Sequence, residues 1–153
     1  MEEAFTYLTT SPEETERIGE GLSEKLRAGD CVALTGELGG GKTRFVRGMA
    51  RGLGAKGAVK SPSFTILNIY EGGRLPLYHM DLYRIMGEEE FLFAGLEEYV
   101  HGKGVAVIEW AERAPLLLRD CRITVRFRYV SDTEREIELR IKDDAGKHGK
   151  PVL

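Results

Sequence analysis

Apolar positions along the chain fall into runs whose spacing predicts alternating helices and strands. Ile18, Leu22 and Leu26 recur every fourth residue behind Ser11, Pro12 and Glu14. That is a helix opening on a capping box, with proline at its first position, and Gly29 is placed to close it. Cys31–Thr35 is a short continuous apolar run, the pattern of a buried strand. From Lys42, residues Phe45, Val46, Met49, Ala50 and Leu53 share one helical face, and Gly54 stops that helix. Phe64–Tyr70 and Leu75–Met80 read as two strands around the turn Glu71–Arg74, and Glu88–Val100 reads as an acidic helix. Val105–Ile108 is too continuously apolar to be half exposed, so it predicts a second buried strand. Strict alternation at Ile123, Val125, Phe127 and Tyr129, and again at Ile137, Leu139 and Ile141, predicts a terminal antiparallel hairpin. The sum is an α/β fold with a mixed parallel and antiparallel sheet layered by helices. Residues 1–142 are read as one domain and 143–153 as a loose tail, because the tail has no apolar periodicity.

Composition narrows the function classes. The chain has 153 residues, 22 basic and 25 acidic, for a formal charge of −3, which excludes a generally basic nucleic-acid coat. No apolar run reaches the roughly 18–20 residues needed to span a bilayer. The start of the chain also lacks the charged-then-apolar pattern of a signal peptide. The two cysteines, Cys31 and Cys121, are far apart and in no CxxC or Cys/His cluster. They read as thiols of a reduced, cytoplasmic protein without a zinc site.

One motif carries chemistry directly. Gly36-Glu37-Leu38-Gly39-Gly40-Gly41-Lys42-Thr43 fits GxxxxGK[ST], with a buried strand before it and an amphipathic helix after it. In such a loop the glycines let backbone N–H groups approach phosphate oxygens, and the helix points its positive end at them. Lys42 is expected to neutralise the β- and γ-phosphates, and the Thr43 hydroxyl to ligate Mg²⁺. No Asn/Thr-Lys-x-Asp guanine-reading motif occurs, so ATP is the expected nucleotide.

This chemistry also needs a carboxylate at a strand end. Glu109 follows the Val105–Ile108 run and is the first candidate, and Asp81, after Leu77–Met80, is the second. Either could orient the attacking water if the other holds the metal. Trp110 directly follows Glu109, which puts it beside the nucleotide or in the core. Lys60–Thr65, a proline flanked by hydroxyls, is the place for a switch. His79, His101 and His148 form no ligand or triad spacing and read as structural or exposed. Arg44, Arg47 and Arg51 lie at helical spacing opposite the apolar face, either as a solvated face or as a surface for an anionic partner.

The segments LTGELGGGKTRFVRGMARGLG, VKSPSFTILNIY, LYHMDLYRI, GLEEYV and VAVIEWAER, in that order from about Ser11 to Arg113, resemble the TsaE (YjeE) family of bacterial P-loop ATPases. Glu37, Gly40 and Ser63 stand where that family often has Asp, Ala and Thr, and none of these removes a catalytic group. The resemblance implies a P-loop fold and a role in threonylcarbamoylation of adenosine 37 in tRNA. It implies ATP and Mg²⁺ as cofactors, with ADP as product. TsaB and TsaD are the implied partners, with tRNA reached through their complex, whose turnover the hydrolysis would support. By position, Lys42 and Thr43 match the phosphate-loop pair, Glu109 the Mg²⁺ ligand and Asp81 the acid of the DLYR motif. Ser11 and Glu112 match positions near base and sugar.

Two other readings stay open from the residues: a small-molecule P-loop kinase, and a nucleotide-binding module without turnover. The absence of any lid or arginine finger at recognisable spacing predicts slow hydrolysis by the protein alone. The missing surface would come from the partner pair, with the Arg44, Arg47 and Arg51 face as a candidate for its docking.

Overall fold

The structure, a computed structural model, describes residues 2–36, 41–60, 62 and 66–142. The tail expected over 143–153, and Glu37, Leu38, Gly39 and Gly40 of the phosphate loop, lie outside the described residues.

Seven strands form one sheet in the order β1-β7-β6-β2-β5-β4-β3. They are β1 (Glu2–Thr9), β2 (Cys31–Gly36), β3 (Leu67–Tyr70), β4 (Leu77–Asp81), β5 (Val105–Glu109), β6 (Ile123–Tyr129) and β7 (Arg135–Lys142). The centre is parallel, with β2 between β5 and β6 and β4 beside β5. Antiparallel strands close both flanks: β3 on β4, then β7 on β6 and β1 on β7. The mixed sheet read from the alternation is therefore present.

The central strands are buried on both faces, which is why they read as continuous apolar runs. Val32 and Leu34 of β2 face one layer with Val105, Val107 and Val125, under α1 (Pro12–Ser23) and α2 (Lys42–Leu53). Cys31 and Ala33 face the other layer with Ala106, Ile108 and Met80. That side is covered by α3 (Glu88–Phe93) and α4 (Pro115–Asp120), through Phe91 and Leu117. The result is three layers, helix–sheet–helix.

Helix α1 begins as its cap predicts: the Ser11 hydroxyl accepts the Glu14 N–H at 3.2 Å. The Glu14 carboxylate reaches back one residue further, to the Thr10 N–H at 2.8 Å. The helix ends at Ser23, short of Gly29, as the backbone turns through Lys25 N–H to Leu22 O and Leu26 N–H to Ser23 O. Leu26 stays buried from that turn. Where α1 crosses α2, the backbones meet through glycines. A Cβ on Gly19 would lie 2.2 Å from the Phe45 carbonyl oxygen, and one on Gly48 would lie 1.9 Å from that of Glu16.

Two expectations are corrected, and two elements are added. The acidic helix over 88–100 is broken at Gly95, whose φ of 73° ends α3 before a separate 3₁₀ turn, Leu96–Tyr99. Strand β1 and helix α4 were not read from the pattern at all. The cysteines are not separate thiols: Cys31 and Cys121 form a disulfide with S–S 2.24 Å across 90 residues. Cys31 opens β2 and Cys121 caps α4 on the same buried face. The neighbouring residues pair likewise, with Arg122 forking onto the Asp30 carboxylate at 2.9 and 2.8 Å. Among the described residues, no helix is long and apolar enough to cross a membrane.

Candidate functional site

The C-terminal ends of the parallel strands carry the candidate residues, the edge at which open α/β sheets bind ligands. Register does most of the positioning. Asp81 at the end of β4 is the direct Cα partner of Glu109 at the end of β5, and Glu109 is also the partner of Leu34 on β2. Two carboxylates thus stand side by side where β2 leads toward the phosphate loop. Both are 6% exposed.

Gly41 occupies the left-handed region at φ 96° and accepts the Phe45 N–H at 2.9 Å, opening α2. A side chain at Gly41 would be strained in that conformation, so the loop–helix junction depends on glycine. The next residue, Lys42, is 6% exposed. Its ammonium donates to the Gly36 carbonyl at 2.9 Å and lies 4.4 Å from the centre of the Trp110 ring. Burial pushes the Lys42 pKa below the ordinary lysine value, and the charges of Glu112, Glu109 and Asp81 act to raise it. Thr43 follows, half buried, at the start of α2.

Glu109 is held by a group the spacing argument set aside. Its Oε2 lies 2.6 Å from Nε2 of His79, a fully buried residue of β4. Asp81 Oδ1 accepts the Tyr83 N–H at 2.8 Å. Trp110 adopts φ 58° and is partly buried, its ring 5.0 Å from that of Tyr83, with the Arg113 guanidinium 5.7 and 6.0 Å from the two rings. Trp110 packs against the core, as one of its two readings has it, and its ring faces Lys42. Glu112 accepts the Gly36 N–H through Oε2 at 3.5 Å.

On the other side of Gly41 lies a cavity of about 310 Å³. Ser11, Thr10 and Thr15 of the α1 start line it with Arg44, and Asp132, Thr133 and Arg135 close it from the β6–β7 turn. The last three were missed because a hairpin turn carries no signal of what it folds against. Glu112 is not among the residues that line this cavity.

Two of the three arginines read as an exposed basic face are occupied. Arg44 and Arg51 bind the Glu16 carboxylate at 2.5 and 3.1 Å, and Arg51 also binds Glu20 at 2.7 Å. Arg47 stays exposed. The face is largely an α1–α2 ion-pair network.

Among the described residues no group of three His, Cys, Asp or Glu could enclose a metal ion. Mg²⁺ asks for less, since it is usually bound by one or two carboxylates together with water and substrate phosphates. The Thr43 hydroxyl and the Glu109 and Asp81 carboxylates fit that requirement.

Residues 9–137 match the family model described as "Threonylcarbamoyl adenosine biosynthesis protein TsaE". The tRNA threonylcarbamoyladenosine biosynthesis protein TsaE of Bacillus subtilis is 46% identical over 131 residues, covering 86% of this chain and 82% of that protein. The protein of the same name from Treponema pallidum is 44% identical over 132 residues, covering 86% and 97%. The crystal structure of Bacillus subtilis YdiB superposes with a TM-score of 0.76 at 38% identity, over 94% of this chain and 88% of that one. With a family match across most of its length and relatives of this similarity, the chain belongs to the TsaE family of threonylcarbamoyladenosine biosynthesis proteins.

Proposed function

We propose that this protein is a Mg²⁺-dependent ATPase of tRNA threonylcarbamoyladenosine biosynthesis, acting in the cytoplasm with the TsaB–TsaD pair. The observation that carries the reading is the convergence of buried Lys42 with Asp81, Glu109 and Glu112 beside the start of α2. A buried ammonium whose contacts among the described residues are one carbonyl and one ring face is an expensive way to stabilise a fold. It is suited to a ligand carrying negative charge, and the α2 N-terminus favours the same charge.

In this reading Lys42 binds the β- and γ-phosphates, and the cavity between α1 and the β6–β7 turn takes the nucleoside, with Ser11 on its wall. Thr43 and Glu109 would hold Mg²⁺, which, when bound, neutralises charge on the phosphates. Asp81 and Glu109 are the two groups able to orient water. Glu112 fixes Gly36, where the chain leaves β2.

Hydrolysis by the protein alone is slow in this reading, because a charge closing over the γ-phosphate can be worth on the order of 10³–10⁵ in rate. The partner pair supplies that surface. The test is ATP turnover to ADP and phosphate with and without TsaB–TsaD. Stimulation by the pair is expected, and equal rates across a range of concentrations would overturn partner dependence. Transfer of phosphate to a small acceptor instead of water would make the protein a kinase. Binding without product in a single-turnover measurement would make it a nucleotide-binding module.

A further inference from the structure

His79 lies inside the sheet with no solvent exposure, and both of its ring nitrogens are engaged. Nε2 is 2.6 Å from Oε2 of Glu109, and a carboxylate can only accept, so Nε2 carries the proton of that bond. Nδ1 is 3.0 Å from the Tyr70 hydroxyl, itself buried on β3. The same hydroxyl lies 3.0 Å from the Lys60 carbonyl and 3.3 Å from the Lys60 nitrogen. Asn68 also donates to that carbonyl, at 3.0 Å. A continuous line of hydrogen bonds therefore runs from a carboxylate of the site, through an imidazole and a phenol, to the backbone at Lys60.

An apolar residue would fill the His79 position at no polar cost, whereas a buried imidazole is tolerated only with both nitrogens satisfied. The bond to Glu109 fixes one carboxylate oxygen and leaves Oε1 for the cation or its water. Second-layer partners of this kind orient a ligand and are worth typically about 10–100-fold in metal affinity.

We propose that His79 and Tyr70 are positioning residues of this site: His79 holds Glu109 in one orientation through Oε2, and Tyr70 anchors His79 to the chain at Lys60. The proposal rests on Glu109 being the Mg²⁺ carboxylate, and the experiment separates the two ideas.

ADP binding to the full chain is measured by calorimetry in Mg²⁺ and in EDTA, so that no turnover is needed. The readout is the ratio of the two affinities. In His79→Ala that ratio is expected to fall about 10-fold or more, while the affinity in EDTA stays unchanged. His79→Gln, whose amide can donate from near the Nε2 position, should recover part of the loss. Tyr70→Phe should give a smaller fall of about 2–5-fold, because Nε2 keeps its bond and only the anchor is lost.

Circular dichroism melts establish which variants fold, and Tyr70→Phe carries the test if His79→Ala does not. If the wild type binds ADP with a Mg²⁺ effect and the folded His79 variants match it, the positioning role is overturned while the site reading stands. If the wild type itself shows no Mg²⁺ effect, the site reading falls and takes the positioning role with it. A loss in His79→Ala with none in Tyr70→Phe would remove Tyr70 from the proposal and keep His79.

Discussion

Replacing Gly48 by alanine sets two effects of opposite sign against each other. Helix propensity alone favours the change by about 1 kcal/mol, since glycine is the poorest ordinary residue in a helix interior. The crossing of α1 and α2 opposes it. The new Cβ would lie 1.9 Å from the Glu16 carbonyl oxygen, and ordinary contact begins at 3.4 Å. The obstacle is backbone, so no rotamer change relieves it, and the helices must separate by about 1.5 Å. A gap of about 0.5–1 Å already forfeits a quarter to a half of each dispersion contact. The residues lining this layer, Ile18, Phe45, Val46 and Met49, are at most 1% exposed. Overpacking of this type costs roughly 1–3 kcal/mol, and a backbone obstacle belongs at or above the upper end.

After the propensity gain, the expected net loss is about 2 kcal/mol, or a fall in Tm of about 4–8 °C for a chain of this size. Urea denaturation followed by circular dichroism measures it, with an unchanged slope and a lower midpoint as the expected result. A midpoint equal to or above that of the wild type would refute the close crossing.

Four further outcomes follow from the site and the cap. Lys42→Ala should weaken Mg²⁺–ATP binding by at least about 10-fold, since charge-assisted bonds are worth roughly 1.5–3 kcal/mol each. Trp110 emission should change when nucleotide draws the ammonium from its ring, and a flat titration of the wild type counts against the assignment. Thr133→Trp fills the cavity beside Gly41, so ADP affinity should drop about 10-fold while tripolyphosphate binding is unchanged; equal losses for both ligands would place the nucleoside elsewhere. The Glu14 carboxyl is held below its ordinary value, first by the Thr10 hydroxyl and then by the Thr10 N–H. A lowered folded value means that this cap contributes above the unfolded pKa and is lost as pH falls through the folded one. Thr10→Ala should move the Glu14 titration upward by NMR, and no movement would remove the hydroxyl as the cause.

How much of this was legible beforehand depended on whether a residue's role is set by its neighbours in sequence or in space. The strand before the phosphate loop, the helix after it and the acid at the end of β5 all sit within a local pattern, and they were readable. The strand at Glu2–Thr9 was not, because the inner face of this edge strand carries Phe5 and Tyr7, with only the polar Glu3 and Thr9 at its ends. Gly95 looked like one more helical position, since a single glycine does not announce a left-handed φ. His79 shows no ligand spacing because its partners, Tyr70 and Glu109, lie on the neighbouring strands β3 and β5. The arginines of α2 have the right periodicity for a solvated face, and only α1 packing beside them reveals Glu16 and Glu20 as their partners. Periodicity says which side of a helix is polar; it says nothing about what that side meets.

The pairing of β1 with β7 has a consequence for how the molecule is made. Residues Glu2–Thr9 lie in register against Lys142–Arg135, so β1, the first of the seven strands to be synthesised, pairs with β7, the last of them. Until then β1 lacks its one partner strand, and its backbone groups remain in water. Contacts spanning this much sequence form late, because the whole intervening loop must be closed first. The cavity beside Gly41 inherits the delay, since Thr10–Pro12 and Thr15 supply one wall and Asp132, Thr133 and Arg135 the other. A growing chain can complete α1, β2 and α2 and still lack that second wall. Pairing of β1 with β7 is thus the event that completes the pocket, and a ribosome-bound intermediate lacking β7 lacks a cavity of this shape.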